Sequence, residues 1–182
     1  MNYEDFYEIL LNHDTCHLLE VNPSIFIATQ YENVGNFQVY ENKGVSFPLI
    51  GELHVKSHGY STNCLCKIND KFICSGAENF FLIICIDPLQ ITQKFPINNT
   101  IVYYMYVTKE DYLYCRGEDC IAQYKIIKDE DNNNFTELVE IDKYPIKESY
   151  FGNKESAICP FDDGRIFFID YNKERKLYQL LA

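Results

Sequence analysis

The chain has 182 residues, of which 47% are hydrophobic and 15% aromatic; it has 15 Tyr, 13 Phe and no Trp. This composition excludes an intrinsically disordered chain and favours strands, because aromatic and β-branched side chains suit a pleated, half-buried surface. The formal charge of −11 argues against nucleic-acid backbones and anionic membranes as main ligands, and no run reaches the ~18 apolar residues of a membrane helix.

Residues 1–14 read either as an outer strand or as a short helix, with Phe6, Ile9 and Leu10 at helical spacing. The first strands follow at Cys16–Val21, Ile25–Thr29, Phe37–Tyr40 and Gly51–Val55, with Pro23 and Pro48 at strand boundaries. Thr62–Ile68 is the next strand, and Asn69-Asp70 reverses the chain into Phe72-Ile-Cys74. A tight turn built on Gly76, Glu78 and Asn79 then leads into Phe80-Phe-Leu-Ile-Ile-Cys-Ile86, an almost continuous apolar run of the kind expected for a strand buried on both faces. Leu89–Phe95 forms an outer strand that Pro96 is expected to stop. Ile101–Val107 opens the next group, turns at Lys109-Glu-Asp111, and continues through Tyr112–Cys115, Cys120–Ile127 and Thr136–Ile141, with a polar loop at 128–134. The last group has strands at Ile146–Phe151, Ser156–Cys159, Arg165–Asp170 and Lys176–Leu181.

These strands repeat. An acidic or amide pair marks the second reversal of each group, at Glu32-Asn33, Glu78-Asn79, Glu118-Asp119 and Asp162-Asp163, at intervals of 46, 40 and 44 residues. Asp and Asn tolerate left-handed backbone angles and bond their own main chain, which suits a two-strand reversal. A period of about 40–45 residues with four strands per unit is that of propeller blades. The expectation is therefore an all-β β-propeller of about four blades, each of four antiparallel strands, in a small or incomplete ring. Its boundaries fall near 15–57, 58–98, 99–144 and 145–182, after an N-terminal segment at 1–14.

The residues at these turns resemble the WD-repeat family. Ser75-Gly76-Ala77-Glu78-Asn79 follows that family's Ser-Gly-Ser-x-Asp turn, and His58 precedes the inner strand Cys64-Leu-Cys-Lys-Ile68. Asp163-Gly-Arg-Ile-Phe-Phe-Ile-Asp170 keeps the spacing from turn Asp to terminal Asp, with Ile169 in the Trp place, and Tyr40-Glu41 stands for Trp-Asp. The chain departs from the family in having no repeat Trp, and no unit has the whole His, Ser, Asp, Trp set. The resemblance covers about residues 15–182. It implies a cytoplasmic, non-enzymatic scaffold for protein–protein interactions whose second-to-third strand turns gather on one face. Glu32, Glu78, Glu118, Asp119, Asp162 and Asp163 would form an acidic rim there for a protein or basic peptide, with Tyr31 and Arg116 adding contacts.

Other chemistry is thinner. His54, His58, Cys64 and Cys66 are the best metal-ligand set, but the Cys-x-Cys spacing is shorter than the two to four intervening residues usual in structural zinc sites, and the same thiols suit a core face. Cys115 and Cys120 flank a turn and could form a redox pair, although buried reduced thiols fit an acidic N-terminus without a signal-peptide layout better. His13, His17, Asp14 and Cys16 lack any group to orient a nucleophile. No phosphate-binding glycine loop or metalloprotease or hydrolase motif occurs, so neither a cofactor nor a catalytic residue is expected. The alternatives are a propeller enzyme with a small-molecule site at the ring centre, and a zinc- or redox-active Cys/His protein. An open arc of four blades would bare two end faces. At roughly 400 Å² of apolar surface each and about 25 cal/mol per Å², this forgoes about 20 kcal/mol. That exceeds the ~5–15 kcal/mol stability of an ordinary domain, so either the ring closes or a second chain or copy covers the ends.

Overall fold

The computed structural model describes residues 15–30, 36–44, 46–55, 62, 64–117, 120–129, 135–145, 158–160, 166–170 and 176–180. All regular elements among them are strands, in four antiparallel sheets. Blade 1 holds β1 (Thr15–Asn22), β2 (Ile25–Gln30), β3 (Asn36–Glu41) and β4 (Leu49–His54). Blade 2 holds β5 (Cys64–Lys67), β6 (Phe72–Gly76), β7 (Glu78–Ile86) and β8 (Leu89–Ile101). Blade 3 holds β9 (Tyr104–Val107), β10 (Tyr112–Arg116), β11 (Cys120–Lys128) and β12 (Phe135–Pro145). Three strands are described in blade 4: β13 (Ile158–Pro160), β14 (Ile166–Asp170) and β15 (Lys176–Leu180). Each sheet is a meander in chain order, with β1, β5 and β9 leading their blades and touching across them, and the ring is not closed. The strand expected at Ile146–Phe151 and the segment 1–14 lie outside the described residues.

Blades 2 and 3 repeat residue for residue. The amide of Ile68 bonds the carbonyl of Phe72, and forty residues on Thr108 bonds Tyr112. Ile86 to Lys71 recurs as Ile126 to Asp111, and Ala77 to Phe80 as Gly117 to Cys120. The 40-residue interval read from the turn pairs of blades 2 and 3 is thus also the interval of their backbone hydrogen bonds.

The cores lie between the blades. In β7 every residue from Phe80 to Ile86 is buried. Phe81, Ile83 and Cys85 enter the cluster shared with blade 3, beside Leu113, Tyr124 and Ile126. Phe80, Leu82, Ile84 and Ile86 enter the cluster shared with blade 1, beside Val21, Ile27, Phe37 and Val39. The alternation of side chains along a strand therefore sends neighbouring residues into two different cores. Phe81 stacks on Phe95 with ring centroids 5.0 Å apart and meets the Tyr124 ring edge-on at 5.3 Å. Gly76 lies against the start of blade 3. A β-carbon there would lie 2.6 Å from Cys64 Sγ and 2.8 Å from Val102 Cγ1, so the position has no room for a side chain.

Two boundaries differ from the sequence expectation. β8 does not stop at Pro96: Pro96 pairs with Phe80 and the strand runs on until Ile101 pairs with Glu78. β8 is the outermost strand of its sheet, so the missing amide at Pro96 leaves no partner strand unbonded. Consequently Ile101 closes blade 2 instead of opening blade 3, whose first strand begins at Tyr104.

Candidate interaction surfaces

The β6–β7 reversal is the described example of the acidic turns. Ala77 alone separates the two strands, its amide donating to Phe80 O at 3.0 Å, and Asn79 takes a left-handed φ of 63°. Asn is one of the few non-glycine residues that accept this angle readily, which explains the amide at this corner. Glu78 begins β7 half-buried, whereas Asn79 is exposed. Ala77 O accepts from Val102 N at 3.2 Å, fastening the corner to the start of blade 3. In blade 3 the matching corner is closed by Gly117 N donating to Cys120 O at 2.8 Å.

Tyr31, Glu32, Glu118, Asp119, Asp162 and Asp163 lie outside the described residues. Arg116, expected to contact a peptide on the rim, ends β10 and is only 2% exposed, so its side chain belongs to the interior and not to an accessible surface. The described members of the metal set are not brought together. His54 sits exposed on the outermost strand of blade 1, its Nδ1 2.5 Å from Asn36 Oδ1, while Cys64 and Cys66 are buried on the first strand of blade 2. His58 is outside the described residues, and among those described no group of three His, Cys, Asp or Glu could hold an ion.

Cys64, Cys66, Cys74, Cys85, Cys115 and Cys120 are all buried free thiols. Burial, reinforced by neighbouring thiols, pushes Cys64, Cys74 and Cys115 well above the ordinary range, which keeps them protonated and unreactive. Ser75, at the Ser of the turn motif, is fully buried and its hydroxyl has no partner among the described residues. His17 links blades 1 and 2. Its Nε2 is 3.1 Å from Thr62 O and, facing a carbonyl, carries the donated proton. Burial lowers its pKa, partly offset by this hydrogen bond, so the ring is held neutral.

A second surface went unnoticed in the sequence. On the side of blade 1 facing away from blade 2, Leu18, Glu20, Asn22, Pro23, Ile25, Phe26, Asn42 and Phe47 line an open groove of about 450 Å³. Phe26 stacks on Tyr40 with centroids 5.0 Å apart and planes 8° apart, and Phe47 meets Phe26 edge-on at 5.7 Å. Behind them Tyr40 Oη donates to Gln38 Oε1 at 2.9 Å, and Gln38 Nε2 donates to Glu52 Oε1 at 2.6 Å. Burial first, then the Glu52 charge, raises the pKa of Tyr40 and keeps its hydroxyl a donor.

Sheets that meander outward in chain order, with blade 2 sharing one core with blade 1 and another with blade 3, define a β-propeller, and solved structures agree. The β-propeller domain of Cps50 (Swd1) from Myceliophteria thermophila matches with a TM-score of 0.71 at 14% identity over 96% of this chain and 59% of that one. The WD40 repeats of RRP9 match with a TM-score of 0.61 at 11% identity, covering 96% of this chain and 54% of that one. The WD40 propeller of Doa1 gives 0.59 at 10% identity, covering 86% and 48%. The protein thus has the β-propeller fold of WD40 domains, and it spans about half the length of these three. No protein-family model and no curated protein matches it.

Proposed function

We propose that this protein is a non-enzymatic propeller scaffold that binds other proteins through the face carrying its second-to-third strand turns. The observation that carries this reading is the repeated corner. Blades 2 and 3 have the same turn forty residues apart, with Glu78 at one and Glu118-Asp119 at the equivalent place in the chain. Carboxylates recurring at equivalent corners of a radial array gather on one rim, and a rim of one sign on a chain of net charge −11 selects basic segments. The similarity to WD40 propellers supports the same reading, because the fold offers rigid turn-lined faces.

The test is a triple charge reversal, Glu78→Lys with Glu118→Lys and Asp162→Lys, compared with wild type for binding of a fluorescein-labelled Lys/Arg-rich peptide and for the proteins captured from a lysate. The expected result is loss of peptide binding and of a subset of captured proteins. An unchanged peptide affinity and an unchanged captured set would overturn the rim.

A further inference from the structure

We propose that the array has a seam on the side of blade 3 that faces away from blade 2, at which the last blade parts from blades 1–3 while these stay folded. The seam is independent of the acidic rim and gives the scaffold a way to open.

The forty-residue equivalence of blades 2 and 3 lets the two junctions be compared position by position. Towards blade 3, blade 2 turns Cys66, Phe72, Cys74, Ile83 and Cys85, all in the shared core. In the ladder Cys66 faces Cys74, Cys74 faces Ile83 and Phe72 faces Cys85. Forty residues on, Tyr106 faces Tyr114, Tyr114 faces Gln123 and Tyr112 faces Lys125. Their strand neighbours Met105, Leu113, Cys115, Tyr124 and Ile126 lie in the core shared with blade 2, so alternation turns these residues to the opposite side, the side of the next blade in chain order. Apolar and thiol side chains at one junction are thus replaced by tyrosines, an amide and an ammonium at the next.

These polar groups find partners within blade 3. Gln123 Nε2 donates to Tyr114 Oη at 2.8 Å, and both residues are buried. Lys125 Nζ donates to Glu110 O at 2.6 Å and stands 4.2 Å from the centre of the Tyr112 ring. A face whose polar groups pair among themselves asks little of the blade that covers it. Baring it forgoes less than baring a face of Ile, Phe and Cys.

The outer strands show the same contrast. Between blades 2 and 3 the junction is closed to its rim: Phe95 of β8 stacks on Phe81, Gln93 Nε2 donates to Thr136 O at 2.8 Å, and the Phe72 and Phe135 rings lie 5.9 Å apart. On the other side of blade 3, Val139, opposite Lys125 in the ladder, and Ile127, two residues along from it, stay 40% and 39% exposed. In an array held together by nearest-neighbour interfaces, the one that buries least apolar surface opens first.

The experiment is hydrogen exchange of the intact chain, read by mass spectrometry on peptic peptides across urea concentrations below the unfolding midpoint. Wild type is compared with Tyr114→Phe/Gln123→Leu, which gives this face the apolar character it has in blade 2 and removes both partners of one hydrogen bond together. The expected result is that β14 and β15 are protected in water but lose protection at a urea concentration where β7 and β10 keep theirs, exchanging about tenfold faster or more. The double variant should slow exchange in β14 and β15 by about tenfold and leave β7 unchanged. Loss of protection in all four strands at one urea concentration overturns the proposal. So do β14 and β15 that exchange freely in water, since no docked blade would then exist to part. A double variant that keeps β7 protected yet leaves β14 exchanging as in wild type also overturns it. The wild-type series decides the order of opening by itself, so a variant that unfolds β7 does not shield the seam from refutation.

Discussion

Ile83 and Ile84 are adjacent in β7, both are fully buried, and their side chains lie in the two different cores on either side of blade 2. Truncating each to alanine, one at a time, tests the blade stack directly. Ile→Ala removes three carbons, about 2.4 kcal/mol of transfer free energy at ~0.8 per methylene. The cavity left behind raises the cost to about 2–5 kcal/mol. Against a total stability of ~5–15 kcal/mol this is a large fraction. With a urea slope of about 2 kcal/mol per M, a 3 kcal/mol loss moves the midpoint by about 1.5 M. Urea unfolding followed by circular dichroism and tyrosine fluorescence reads the shift, with 15 Tyr and no Trp to mask them. Ile91→Ala, 38% exposed on β8, is the control and should cost about 0.5 kcal/mol or less. If only one of the Ile83 and Ile84 variants is costly and the other behaves like the control, β7 has a water-facing side and the stack is wrong.

The other predictions concern corners, protons and thiols. Gly76→Ala should lower stability by about 1–3 kcal/mol, because the new methyl meets Cys64 Sγ and Val102; a neutral result in the same urea assay would refute the close approach. Asn79→Val should cost about 1–2 kcal/mol at the left-handed corner, whereas Asn79→Gly should cost nothing measurable. His17 has a folded pKa below its unfolded value, so the unfolded chain takes up its proton more readily. Its stabilisation is present above about pH 6.5 and lost as pH falls through the lowered folded value. Thermal midpoints between pH 7.5 and 5 should therefore fall less steeply for His17→Gln than for wild type, and parallel slopes would refute the neutral, half-buried ring. A chromogenic disulfide reagent at pH 8 should leave Cys64, Cys66, Cys74, Cys85, Cys115 and Cys120 unlabelled in the native protein and label all eight cysteines in guanidinium. Fast labelling of any of the six buried thiols would contradict their burial.

The blades were legible because strand alternation, turn residues and a near-constant interval agreed. The uninterrupted apolar run from Phe80 to Ile86 is by itself the pattern of a strand with two buried sides. Pro96 misled because proline stops an inner strand but not an outermost one, and strand order is a property of the sheet, not of the local sequence. Arg116 misled for a similar reason: a charged residue beside a turn usually reaches water, yet here, at the strand end that corresponds to buried Gly76 in blade 2, it is itself buried. The groove could not be read at all. Leu18, Phe26 and Phe47 converge only once β1, β2 and the connection to β4 are placed, although apolar Leu18 beside apolar Leu19 did hint that β1 has two greasy sides.

A strand such as β7, which keeps nothing for the solvent, makes blade 2 a poor citizen on its own. Excised, it would present two oily surfaces to water and clump; within the array each surface has a companion. Ordering should therefore spread from neighbour to neighbour, and a protease that nicks the loop between Lys128 and Phe135 should leave fragments that stay together until the whole array gives way.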